Sequence, residues 1–185
     1  MAEAQLKILG IDPGTRVMGY GIIEVVKKKV QLVCAGVVQL DHLKNHSHKL
    51  EEITKSLSKI IERYNPQEMA IEAPFYAKNA QIMLKLGRAQ GAAMVAATLA
   101  KVEVIEYSPK KVKQSITGNG NASKEQVAAM LQQLLKMKYE PTFLDATDAI
   151  SLALCHHFQR NAITGGKKYS GWKAFVKANP EKLSG

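Results

Sequence analysis

The sequence predicts an α/β protein: a mixed five-stranded sheet, antiparallel on one side and parallel on the other, with helices on both faces. Two observations carry this. Residues 5–12, 17–26 and 30–40 are β-branched and apolar, separated only by Asp12-Pro13-Gly14-Thr15 and by Lys27-Lys28-Lys29. Connections that short join antiparallel neighbours, so these runs form a three-strand meander. After residue 48 the hydrophobic period changes, and helices alternate with two further strands, an order that requires parallel crossovers.

Each later element has its own signal. Leu50, Ile53, Leu57, Ile60 and Ile61 recur at helical spacing and predict a helix over 48–64, closed before Pro66. Glu68–Glu72 reads as a fourth strand, 79–101 as a long helix, and Val102–Tyr107 as a fifth strand. Helices follow over 108–116, 123–137 and 142–159. Gly165-Gly166-Lys167-Lys168 then marks a linker, which divides the chain into a domain at 1–160 and a basic tail at 161–185. For the tail two readings stay open: a disordered segment, or a short basic helix gripping DNA or a partner. One domain suits the 185 residues.

The net charge of +10 is unevenly placed. Residues 78–124 carry eight Lys/Arg against two Glu, a net +6, and residues 159–185 carry six against one, a net +5. Residues 125–158 come to −2. Basic and acidic segments are thus segregated, as expected where a metal site borders a phosphate-binding surface. Cys34 and Cys155 lie in apolar runs without metal-ligand spacing and read as core residues in a reducing compartment. The N-terminus shows no signal peptide, and the apolar stretch Gly91–Leu99 is too short to span a bilayer. A cytoplasmic protein without a membrane role is expected.

Four acids are poorly explained by folding. Asp12 ends the first apolar run and Glu72 the fourth; Asp148 opens an apolar helical run, with Asp145 one turn before it. Each alone has an ordinary explanation: a turn, a strand end, a helix start. Their joint placement does not. The first and fourth strands are natural parallel neighbours whose C-terminal ends share one edge, where open α/β sheets place ligands. Asp145 and Asp148 share one helix face, and packing that helix at the same edge brings all four together. Clustered carboxylates need a cation to stay ionised, and no lysine or arginine adjoins them in sequence. Oxygen donors of this kind suit Mg²⁺ or Mn²⁺, and two such ions serve phosphodiester cleavage. His156, eleven residues beyond Asp145, stands too far along the helix to share a metal. His156 and His157 read as surface or helix C-terminal residues.

The chain resembles the RuvC family of Holliday junction resolvases, within the ribonuclease H-like superfamily. The resemblance is carried by Ile8-Leu9-Gly10-Ile11-Asp12-Pro13-Gly14-Thr15-Arg16 with Gly19-Tyr20-Gly21, by Ala70-Ile71-Glu72, Phe75 and Ala77-Lys78-Asn79, and by Leu84-Lys85-Leu86-Gly87. It continues through Glu106-Tyr107, Pro109, Val112-Lys113-Gln114, Gly118, Gly120 and Asp145-Ala146-Thr147-Asp148-Ala149. It implies a magnesium-dependent endonuclease that cuts two opposed strands of a four-way junction symmetrically, leaving ligatable nicks, with shape read in binding and sequence mainly at cleavage. Asp12, Glu72, Asp145 and Asp148 would be the catalytic metal ligands. Phe75 would contact bases near the crossover, Lys113 and Lys124 would lie near the scissile phosphate, and Arg16 and Lys78 would add backbone contacts. Residues 73–74 are Ala-Pro, a departure from the family pattern, and the tail beyond Arg160 matches none of it.

A junction offers two equivalent strands, so one site per chain calls for a two-fold partner. The helix at 79–101 is apolar around most of its circumference, with small residues at Gly87, Ala89, Gly91, Ala92 and Ala93. Such a helix is either buried within the fold or shared with another subunit; the resemblance implies the second, a homodimer. It also brings the branch-migration proteins RuvA and RuvB as partners, direct contact being left open. Three rivals remain: a YqgF-like nuclease acting on RNA, an actin-like ATPase, and a junction-binding module whose acids are structural.

Overall fold

In a computed structural model, residues 5–27, 29–73, 79–136 and 144–163 are described, with side chains to Arg160. The strands are β1 (Leu6–Asp12), β2 (Val17–Val26), β3 (Lys29–Gln39), β4 (Glu68–Glu72) and β5 (Glu103–Tyr107). They form one sheet in the order β3-β2-β1-β4-β5. The pairs β1–β2 and β2–β3 are antiparallel; β1–β4 and β4–β5 are parallel. This is the mixed sheet expected from the sequence. The parallel half arises because a helix separates each of its later strands from the strand before it.

The helices are α1 (His46–Tyr64), α2 (Ala80–Leu99), α3 (Pro109–Thr117), α4 (Lys124–Leu135) and α5 (Leu144–Ile163). Local chemistry starts them. Asn45 and Asn79 cap α1 and α2 by accepting from backbone N–H groups of the first turn. Ser108 does the same before Pro109, and Ser123 forms a capping box with Gln126 that makes Lys124 the first residue of α4. Both N-terminal caps of α1 and α4 set the first turn more sharply than hydrophobic spacing alone would. α5 runs to Ile163, and the tail beyond it lies outside the described residues.

Side-chain alternation along the strands divides the core in two. Leu9 and Ile11 of β1, Met18 and Ile22 of β2, and Met69 and Ile71 of β4 pack against α1 and α2. On the opposite face Ile8 and Ile23 join Ile150, Ala153 and Leu154 of α5 and Val127 and Leu131 of α4, while Ala70 meets Leu152 and Cys155. Both cysteines therefore sit in or against the core, Cys155 fully buried and Cys34 half-buried. The same alternation sends Asp12 to the α5 face with Ile8, and Glu72 to that face with Ala70.

One expectation is overturned. His156 and His157 are not surface residues: they are 6% and 7% exposed. α5 lies across β1, β2, β3 and β4, so its buried stripe continues through Leu152 to His156. The His156 ring is satisfied on both sides, by Tyr107 Oη at 2.7 Å from Nδ1 and Glu68 Oε2 at 2.7 Å from Nε2. A carboxylate only accepts, so Nε2 donates to Glu68, while Nδ1 shares its hydrogen bond with the tyrosine hydroxyl. Arg160 Nε also donates to Glu68, at 2.9 Å. This polar chain, buried at His156 and reaching solvent at Arg160, ties the far half of α5 to β4 and β5.

Candidate active site

The site forms where β1 and β4 end and α5 begins. α5 can lie this low because β1 and β2 present glycines to it. A Cβ on Gly10 would stand 1.8 Å from the Ala149 carbonyl oxygen, and one on Gly19 would stand 2.1 Å from that of Asp145. Backbone-to-sheet contact at those two points sets the first turn of α5 directly against the end of β1. Carboxylate oxygens of Asp12, Asp145 and Asp148 consequently all lie within 4.8 Å of one another. Glu72 stands outside that tight group, across a cleft of about 300 Å³ that it lines with Asp12, Asp148, Lys113 and Lys124. Val112 and Val127 form an apolar part of the cleft wall.

The electrostatics follow from burial and like charge. Burial first, then the charges of Glu72 and Asp148, push the Asp12 carboxyl up from 3.8 to about 8. Glu72 is raised for the same two reasons, burial and then Asp148, with Lys124 and Lys113 opposing. The sequence places no cation beside the acids, but the fold does. The capping box that opens α4 delivers Lys124, whose Nζ donates to Asp148 Oδ2 at 2.5 Å. That pair is half-exposed on the lysine side and does not neutralise the group, since Asp12 still retains its proton to about pH 8. A cluster of hard oxygen donors with an unrelieved excess of negative charge fits a divalent, oxygen-preferring cation.

The expected DNA-contacting residues fall into three groups. Lys113 and Lys124 line the cleft. Arg16 is exposed in the β1–β2 connection, at the same sheet edge, and its carbonyl oxygen accepts from Leu40 N–H at 2.7 Å. Phe75 and Lys78 lie outside the described residues. Two contributors were missed in the sequence. Lys49 Nζ donates to the Thr15 carbonyl oxygen at 2.7 Å and so tethers the turn after Asp12 to α1. Gln90, 6% exposed on α2, reaches the carbonyl oxygen of Glu72. The apolar-to-polar switch at position 90, on the otherwise alanine-lined buried face of α2, is the one sequence signal for it.

A mixed sheet in this strand order, with carboxylates converging from β1 and α5 beside a strand-end glutamate, defines a ribonuclease H-like protein with a centre suited to divalent ions. Comparison with known proteins agrees and narrows it. The family model for crossover junction endodeoxyribonuclease RuvC matches residues 8–156. A protein of that description from Cytophaga hutchinsonii is 52% identical over 176 residues, covering 95% of this chain and 87% of the relative. One from Bacteroides fragilis is 51% identical over 178 residues, covering 95% of each. The structure of T. thermophilus RuvC in complex with Holliday junction substrate superposes with a TM-score of 0.79 at 32% identity, over 86% of this chain and 97% of that one. The yeast mitochondrial Holliday junction resolvase Ydc2, at 16% identity and a TM-score of 0.59, shares the fold. This chain belongs to the RuvC family.

Proposed function

We propose that this chain is a metal-dependent endonuclease that resolves Holliday junctions, making symmetric paired nicks in two opposed strands of a four-way DNA junction during recombination and repair. The observation that carries the reading is the convergence of Asp12, Asp145 and Asp148, with Glu72 across the cleft, in a member of the RuvC family.

In this reading Asp12, Glu72, Asp145 and Asp148 are the catalytic metal ligands. Mg²⁺ is the ion, two per subunit, with Mn²⁺ as a substitute; bound there, it supplies Lewis-acid activation of a water and stabilisation of the leaving oxygen. The chain's own residues do the rest. Burial and the neighbouring acids hold the Asp12 carboxyl up at about 8, so a cation bound there would displace its proton near neutral pH. Lys124 pairs with Asp148 at the cleft mouth, from where it and Lys113 can receive a phosphate. Arg16 at the rim and Lys78 add backbone contacts, and Phe75 engages unpaired bases.

Two strands must be cut, so the working form is a homodimer. Support comes from α2. Leu84, Gly87, Gly91, Val95 and Leu99 follow one another at three- and four-residue intervals, with Leu84 61%, Val95 54% and Leu99 79% exposed. Among the described residues, and apart from the helix's own backbone, nothing stands within 4 Å of where a Cβ would lie on Gly87 or Gly91. Association with RuvA and RuvB, and action in the cytoplasm, complete the reading on family membership. None of the described helices is long and apolar enough to cross a membrane.

The test is cleavage of an end-labelled four-way junction with a homologous core in Mg²⁺, by wild type and Asp12→Asn. Paired symmetric nicks from wild type are expected, lost by at least about a hundredfold in the variant while junction binding survives. Junction binding without cleavage by wild type, in Mg²⁺ and Mn²⁺ and across several core sequences, would leave a junction-binding protein with structural acids.

A further inference from the structure

We propose that Gln90 is a positioning residue for Glu72, clamping the peptide that follows it so that its carboxylate faces the cleft; this rests on the assignment of Glu72 as a metal ligand. The Glu72–Ala73 peptide is held at both of its polar ends. Its carbonyl oxygen accepts from Gln90 Nε2 at 3.2 Å, and its N–H, on Ala73, donates to the Tyr107 carbonyl oxygen at 2.9 Å. Gln90 Nε2 also donates to Glu106 Oε2 at 2.8 Å, which fixes the amide between two acceptors.

The clamp answers a specific weakness. The β1–β4 ladder ends at the Ile11–Ile71 pair, and β1 runs on through Asp12 into Pro13, which has no amide hydrogen with which to extend it. β4 therefore loses β1's support just where it presents Glu72 to the cleft. With the following peptide plane fixed, the Cα–Cβ direction of Glu72 is fixed too, since the strand holds the preceding residues. The two sides of the sheet divide the work. Glu72 projects to the α5 face, while Val104 and Glu106 of β5 lie on the α2 face, where Gln90 waits among Ala89, Ala93 and Ala97. A glutamine on that face has no packing advantage over the alanines around it; its amide is what the position uses. Loss of a hydrogen bond that orients a ligand from behind typically costs about 10–100-fold in metal affinity.

The test uses Gln90→Met, which keeps the side chain's length without its amide, and Gln90→Asn, which keeps the amide but is too short to span both acceptors. Mn²⁺ titration of each protein, followed by the EPR signal of free Mn²⁺, reads affinity without reference to activity. Alongside it, the Mg²⁺ dependence of junction cleavage and the junction affinity are measured. The expected result is a shift of the half-saturating Mn²⁺ and Mg²⁺ concentrations upward by about tenfold or more in both variants, with junction affinity unchanged. Ala97→Gly, on the same buried face but touching neither acceptor, lowers stability and is expected to leave both midpoints at the wild-type values. Midpoints unchanged in the Gln90 variants, or shifted as far by Ala97→Gly, would overturn the assignment. Failure of wild type to cut the junction would instead sink the nuclease reading, and the Mn²⁺ titration would still decide the clamp.

Discussion

Asp12 keeps a proton to about pH 8, whereas in the unfolded chain the same carboxyl titrates near 3.8. Between those values the folded state binds a proton that the unfolded state has released, so stability falls as pH rises. The penalty is absent below the unfolded value and complete above the folded one. Asp12→Asn removes it. In EDTA, the melting temperatures of wild type and Asp12→Asn should converge near pH 4 and separate towards pH 8, with the variant the more stable. Curves that stay parallel across this range would show that burial does not act on Asp12 as described. Divalent ions should close the gap from the other side, raising wild type at pH 8 and leaving Asp12→Asn nearly unmoved.

Between elements, the decisive contact is that of α5 with the sheet. Ala146, Ala149 and Ala153 follow at three- and four-residue spacing and are at most 1% exposed, and Gly10 and Gly19 oppose them without side chains. Gly19→Ala places a methyl 2.1 Å from the Asp145 carbonyl oxygen, a backbone atom that cannot swing aside. The first turn of α5 must then lift, taking Asp145 and Asp148 away from Asp12. A loss of about 1–3 kcal/mol in urea denaturation is expected, as for other overpacked cores. Metal affinity should drop well beyond what that destabilisation explains. A Gly19→Ala protein with wild-type Mn²⁺ affinity would mean that the site does not depend on the depth of α5.

At the scale of the whole molecule, the most exposed large apolar side chains among the described residues lie on α2. A side chain such as Leu99, 79% exposed on an apolar helix, contributes nothing to the fold and favours association. Sedimentation velocity should show a dimer for wild type, and a monomer for Leu84→Glu combined with Val95→Glu, because two charges would be buried at a shared face. The monomer should keep metal binding and lose paired cutting, leaving scattered single nicks. A wild-type monomer that still makes paired nicks would remove α2 from the dimer reading.

Period and punctuation alone determined the strands, the helices and their layering. Alternation of two in residues 5–40, a change to helical spacing after it, and short polar connections admit few topologies, and the sheet order follows from them. The acids were legible for a related reason: a carboxylate at the end of an apolar run stands out locally. What only the tertiary structure decided is what meets across distance in sequence. Lys124 reaches Asp148 across 24 positions, Gln90 reaches Glu72 across 18, and His156 reaches Glu68 across 88. Nothing in the residues beside Lys124 or Gln90 specifies those partners, and His156 looked peripheral because the length of sheet that α5 covers is set by packing. Local pattern encodes burial and period; pairing of charges and hydrogen bonds depends on where closed elements come to rest, which is a property of the packed whole.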